Sequence, residues 1–309
     1  MHLRSRRVFA GGVQLALVLA LAAGSARGQV DLSAWPQVRM EVLAVDQDGL
    51  PVPGVTVDAL VARGERKQLA VNGLKPSTEP QSVCVLVDAS DSIGDGLAIV
   101  QTKVRRLLRK LPADDEVCMA AFSSKLWIAQ PLTEDRGAVL QALAQMRPAA
   151  GTQLRDGLLD LSSYMRGAAR FRSRAIILIG DGSDRHSTAT TEQLKRELEA
   201  EGSPVVHMIC LPVAFGRARA KQYEPHEGTA FKLHEFSGGL TYFPHTIADI
   251  DAIVDTLPET IRNRYIVTYA AENAARDGHE ERIEILFDRA HQSMKARIQG
   301  PEGYYAPAK

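Results

Sequence analysis

Apolar and polar positions change their period twice along this chain. Residues 38–42 alternate apolar and polar, as a half-buried strand does, and short apolar runs follow at 55–62 and 68–71. Turn chemistry at 46–49 and 51–54 separates them. From 82 onward the pattern differs. Valine- and isoleucine-rich runs at 82–88, 117–122, 175–180 and 205–211 read as strands buried on both faces, with 126–132 as an edge strand. Between the runs, apolar residues recur at three- and four-residue spacing. Leu97, Val100, Val104, Leu107 and Leu108 mark one helix face; Val139, Leu140, Leu143 and Met146 mark a second; Leu154, Leu158, Leu161 and Met165 mark a third. Residues 193–201 predict a charged surface helix and 231–236 a short one. Ile247, Ile250, Val254 and Leu257 mark the last, which Pro258 is expected to kink or restart. Beyond 264 strict alternation returns, at 265–269 and 283–287, around a turn at 275–278.

Alternating strands and helices imply an α/β fold, a doubly wound and mostly parallel sheet covered on both faces. The β segments at the two ends have apolar faces to bury, and burying them on each other gives one small flanking β domain. The expected division is a signal segment 1–28, an N-terminal β segment 29–78, an α/β domain 79–264, and a C-terminal β segment 265–309 that packs with 29–78. Residues 76–80 read as the linker into the α/β domain.

Composition adds little to this picture, and charge a little more. The 309 residues are 45% hydrophobic, with 37 basic and 37 acidic side chains. Arg4, Arg6, Arg7 and Arg27 are the only charged residues among the first 28, so removal of that segment leaves a formal net charge of −4. A weakly acidic body has no global field to hold nucleic acid or an anionic membrane. The basic start, the apolar run 8–23 and the small residues Ala26 and Gly28 read as a cleavable export signal. The run is interrupted by Gly11, Gly12 and Gln14 and falls short of the ~20 apolar residues of a stable membrane span. The expected location is therefore periplasmic or secreted. Three cysteines, Cys84, Cys118 and Cys210, lie inside apolar runs, are read as buried small hydrophobes, and give no disulfide framework. The side of the first helix that carries Lys103, Arg105, Arg106, Arg109 and Lys110 reads as a solvated face.

The candidate chemistry sits where the buried strands stop. The 82–88 strand runs straight into Asp88-Ala89-Ser90-Asp91-Ser92, one carboxylate and two hydroxyls at alternate positions. The strand at 175–180 ends in Gly180, Asp181 and Gly182, and Thr152 stands at a loop-to-helix junction after Gly151. Helix capping accounts for Thr152 and one serine but not for all five residues. Small oxygen donors at the carboxyl ends of parallel strands suit a hard divalent cation. Asp-x-Ser-x-Ser, then Thr, then a strand-terminal Asp-Gly, in this order, resembles the von Willebrand factor type A domain with its metal-ion-dependent adhesion site. The resemblance implies that Asp88, Ser90, Ser92, Thr152 and Asp181 hold Mg²⁺ or Mn²⁺. Val42 to Pro53, the stretch 262–269, Lys295 to Arg297 and Gly303 to Pro307 extend a likeness to the exported VWFA-related proteins first described in acidobacteria. Ala59-Leu60 departs from that pattern.

Two carboxylates neutralise a divalent cation and hydroxyls add no charge, so such a centre still attracts a third carboxylate. The expected function is capture of an Asp or Glu of a partner protein, without catalysis. Two alternatives stand beside it. Phosphohydrolases of the haloacid dehalogenase type also end a first parallel strand in Asp-x-Asp, but here the second acid is Ser90. A structural envelope subunit with a vestigial site is the other. No phosphate loop and no His-x-x-x-His pair is present; His207 reads as a core residue and His186 as a neighbour of the site. The long connection 213–229, with Arg217, Arg219 and Lys221, is expected to steer an acidic partner segment to the rim.

Overall fold

The computed structural model describes residues 29–91, 93, 96–211 and 229–309. The signal segment, Ser92 and the steering connection lie outside the described residues. The chain starts with β1 (Val30–Asp31), β2 (Gln37–Asp46), β3 (Leu60–Gly64) and β4 (Gln68–Ser77). Then come β5 (Gln81–Asp88), α1 (Leu97–Leu108), β6 (Glu116–Phe122), β7 (Leu126–Thr133), α2 (Arg136–Gln145), α3 (Leu154–Ala168) and β8 (Ser173–Gly180). After these follow α4 (Thr191–Leu198), β9 (Val205–Cys210), α5 (Thr229–Ser237), β10 (Thr241–Tyr242) and α6 (Ile247–Arg262). The last strands are β11 (Arg264–Ala270), β12 (Glu280–Phe287), β13 (Ala296–Gln299) and β14 (Gly303–Tyr305).

The middle of the chain forms a six-stranded sheet in the order β10-β9-β8-β5-β6-β7. Every residue of β5, β6 and β8 is buried, because helices cover both faces. Alternation within the strands sorts the core in two. Val83, Val85 and Val87 pack with apolar residues of α1, α2 and α6, while Cys84 and Leu86 pack with those of α3, α4 and α5. Truncating a fully buried leucine such as Leu158 to alanine costs about 2–5 kcal/mol in such a core. From β5 the chain winds outward through β6 and β7, then crosses back to β8 on the other side of β5. The winding reverses between β5 and β8, and ligands of such sheets bind at the carboxyl ends there.

Several expectations need correction. The sheet is mixed, since β7 runs antiparallel to β6. Only Ser123, Ser124 and Lys125 join the two, too short a link for a parallel crossover. Helix α6 runs unbroken through Pro258, whose lost hydrogen bond is offset by burial of Ile250, Val254, Leu257 and Ile261. The side of α1 read as solvated is partly an interface: Lys103 pairs with Asp251 and Arg106 with Asp255, both on α6. Cys84 and Cys118 form a disulfide, leaving Cys210 free and buried. They meet because β5 and β6 pair in parallel with Cys84 opposite Cys118, a register that a separation of 34 residues does not reveal.

The flanking sheet is not small. Its eight strands follow the order β1-β2-β11-β4-β3-β12-β14, with β13 beside β2, and it is antiparallel and nearly closed. Strands from both ends of the chain interleave in it, with β11 between β2 and β4 and β12 beside β3. Strand β4 continues through Pro76, opposite Tyr265, and ends at Ser77, so the first two residues of the expected linker are sheet and 78–80 join β4 to β5. Two of the seams that join the sheets are built around a lysine or arginine. At one, buried Arg264 lies 3.2 Å from Glu41 and donates to Gln81 Oε1 and to the carbonyls of Ile261 and Glu79. The Arg264 Nε–H is not aimed at Glu41, so that contact is an ion pair by distance and not a hydrogen bond. At the other seam, Lys195 of α4 bridges Glu280 of β12 at 2.6 Å and Glu199 at 3.4 Å.

Candidate metal centre

Strand β5 delivers Asp88 to the crevice with its side chain 1% exposed. One carboxylate oxygen accepts the Ser90 backbone N–H at 2.8 Å, closing an Asx turn where the strand stops. The other, Oδ2, is buried and has no hydrogen-bond partner of good geometry. Burial pushes the Asp88 carboxyl up to about 6; the Ser90 hydroxyl pulls it down, and the charge of Asp181 pushes it further up. An unsatisfied buried oxygen costs about 1–3 kcal/mol, more for a charged group, unless something external satisfies it.

Asp181 reaches the same point because Gly180 precedes it. A Cβ on Gly180 would stand 2.6 Å from the Asp88 Cβ and 3.1 Å from Oδ2, so only glycine lets β8 lie this close to the carboxylate. Asp181 is itself buried, and its Oδ1 accepts the Ser183 N–H at 2.8 Å. Its backbone carbonyl accepts the Cys210 thiol at 3.6 Å.

Thr152 arrives from a third direction. The loop before α3 lies along the Asp88 turn: Ala149 bridges Ser90 in parallel and donates its N–H to the Ala89 carbonyl at 2.8 Å. Gly151 then turns with φ +91°, and a Cβ there would strike Ser124 at 2.9 Å. Thr152 is buried; its N–H donates to His186 Nδ1 at 3.2 Å, and its carbonyl accepts the N–H groups of Arg185 and His186. Asp88, Ser90, Thr152 and Asp181 are therefore brought to one end of the sheet. Ser92 lies outside the described residues.

His186 contacts Thr152, and sequence spacing alone pointed to it. His207 is a satisfied core histidine: its Nδ1 accepts the Leu240 N–H at 3.1 Å, and burial holds its pKa down at about 3. Sequence reading missed the residues that fix the loops. Asp184 accepts the Arg155 N–H at 3.0 Å, Asp156 accepts those of Thr188 and Ala189, and the Arg155 guanidinium donates to the Ala189 carbonyl at 2.6 Å. These bonds staple the loop after β8 to the start of α3, and so hold Asp181 and Thr152 in one frame. The one signal available was two acids and an arginine in loops flanking the motif residues.

The residues present fit a hard cation. They offer two buried carboxylates, one with an oxygen lacking a partner, and small hydroxyl donors. Among the described residues no group of three or more His, Cys, Asp or Glu is placed to hold a metal, so an all-acid cage is not built here. No described helix is long and apolar enough to cross a membrane.

Residues 83–183 match the family model of the von Willebrand factor type A domain, a span that includes Asp88, Ser90, Thr152 and Asp181. The α/β body accordingly has a von Willebrand factor type A-like fold. No curated protein matches the chain. Solved structures similar to it include a von Willebrand factor type A protein from Catenulispora acidiphila, at 11% identity and TM-score 0.49 over 91% of this chain and 76% of that one. An aerotolerance-related membrane protein from Bacteroides fragilis is similar at 16% identity and TM-score 0.47, over 58% and 98%. The vWF domain of the type V pili tip protein Mfa5 from Porphyromonas gingivalis is similar at 14% identity and TM-score 0.40, over 59% and 95%.

Proposed function

We propose that this chain is an exported protein-docking module of the VWFA-related kind that captures an acidic residue of a partner through a divalent cation. In this reading residues 79–264 are an α/β domain inserted into one flanking β domain made of 29–78 and 265–309, and 1–28 is a signal removed on export. Asp88, Ser90, Ser92, Thr152 and Asp181 would hold Mg²⁺ or Mn²⁺.

The observation that carries the reading is Asp88. Its Oδ2 is buried without a hydrogen bond of good geometry, next to a second buried acid, at the point where the winding of the sheet reverses. A bound divalent cation would supply a coordination position for a carboxylate from outside. The chain's own residues do the rest. Asp88 and Asp181 match the charge of the cation and leave none over, which keeps the outer face attractive to a third acid. Ser90 and Thr152 contribute oxygens without charge, and the Asp156–Asp184–Arg155 staple keeps the Thr152 loop from drifting away from β8.

Calorimetric titration of the full chain with MgCl₂ and MnCl₂ tests the assignment. Wild type is expected to bind one ion and Asp88→Ala none, with the far-UV spectrum unchanged because the pairing of β5 with β6 and β8 is made by backbone groups and not by the Asp88 side chain. Equal binding by both proteins would sink it.

A further inference from the structure

Among the described residues, strand β7 ends the central sheet and pairs only with β6. The two halves of its outer edge are treated differently. In the lower half Pro131 has no N–H to offer, the Leu132 N–H donates to the Tyr164 hydroxyl at 3.0 Å, and the register with β6 shifts between Val117 and Ala120. These are the usual protections of an exposed edge. In the upper half the register is regular, with Phe122 opposite Leu126, Ala121 opposite Trp127 and Ala120 opposite Ile128. No described strand covers it, and Trp127 stands 45% exposed, the one aromatic among the large exposed apolar side chains of the described residues.

That unprotected half begins at the metal rim. Asp88 lies opposite Phe122, so the top of β7 is two strands from the centre. Ser124, at the head of β7, packs on Gly151 beside Thr152. Among the described residues, Lys125 and Arg185 are exposed at this rim against one exposed acid, Asp91, so the described surface around the centre complements a negatively charged visitor.

We propose that the partner docks as an extended segment that adds to the upper edge of β7, seats an apolar side chain on Trp127, and carries its acidic residue over the rim to the cation. The inference rests on the metal-docking reading and specifies the partner for it. The geometry also sets a spacing. A strand added outside β7 lies three strand separations from β5, about 14 Å. Extended chain covers that in about four residues. The acid therefore stands four or five residues from the residue facing Trp127, with β-branched or aromatic residues along the paired run.

A random dodecapeptide phage library selected on the immobilised full chain in MgCl₂ tests this. The expected winners carry Asp or Glu four or five residues from a β-branched or aromatic run. A synthetic peptide of that sequence should slow hydrogen exchange at the amides of 126–130, and Trp127→Ser should weaken it at least tenfold with Mg²⁺ affinity unchanged. Winners without that spacing, equal binding to Trp127→Ser, or no protection at 126–130 would each overturn the proposal. So would a dimer that shields the same amides without peptide, since the edge would then serve self-pairing. Peptide binding that protects 126–130 but survives Asp88→Ala and EDTA would instead overturn the metal reading and leave the edge site standing.

Discussion

At the amino ends of the central strands, buried Asp115 faces Arg262 at 2.5 Å and Glu41 faces Arg264 at 3.2 Å. At the carboxyl ends, Asp88 and Asp181 are as deeply buried, yet neither forms an ion pair with a described lysine or arginine. The first arrangement supplies its own cations and is a fixed joint between two sheets. Under the proposed docking function the second would leave the cation to be supplied from outside, so its charge balance would change with what is bound. Burial alone does not separate the two ends; what separates them is that one acid at each joint faces a cation of its own chain.

The largest effect should come from breaking the joint. Arg264→Ala leaves Glu41 buried without its cation and should cost about 3–5 kcal/mol in urea unfolding. Arg264→Met combined with Glu41→Leu should recover most of that loss. If the single variant is as stable as wild type, the joint is not fixed by this pair. At the other end the prediction concerns linkage. MgCl₂ at about 100 times its dissociation constant should stabilise wild type by about 2.7 kcal/mol and Asp88→Asn not at all. Thermal melts with and without the salt measure both, and a shift common to the two proteins would erase the contrast.

A smaller effect belongs to the second seam. Burial pushes the Glu199 carboxyl up to about 7, with Lys195 pulling down and Glu280 pushing up. The folded chain therefore holds a proton there that the unfolded chain releases near 4.5. The stability this proton contributes is full below about pH 4.5 and is lost as the pH rises through about 7. The melting temperature should fall across that window, and Glu199→Gln should flatten the fall. The smallest change is chemical: alkylation of the denatured, unreduced protein should label Cys210 alone, and labelling of all three cysteines would remove the Cys84–Cys118 bond from the account.

Local pattern carried much of the central sheet. Valine and isoleucine runs that stop at an acid announce β5 and β8, and three- and four-residue spacing announces α1, α3 and α6. What stayed hidden depends on neighbours distant in sequence. The near-contact of Gly180 with Asp88, the Cys84–Cys118 register and the Asp156–Asp184–Arg155 staple exist only once strand order is known. The flanking sheet was underestimated for a related reason. In β4 the pattern 68–77 alternates weakly and contains Gly73 and Pro76, and only pairing with β11 makes it strand. The antiparallel course of β7 was legible in principle, from the three residues that connect it to β6.

The interleaving of the flanking sheet sets an order of events in the making of the molecule. Strand β11 lies between β2 and β4, and the Tyr265 hydroxyl bonds to Val52, 213 positions earlier. A chain emerging amino end first, from a ribosome or an export pore, has β2 and β4 in hand long before β11 exists to join them. The α/β body can close in the meantime, since all its strands, β5 to β10, lie ahead of β11 in the chain. Until β11 and the strands after it emerge, two strands of the flanking sheet wait with open edges, and any factor that guards this protein during its synthesis has that interval to cover.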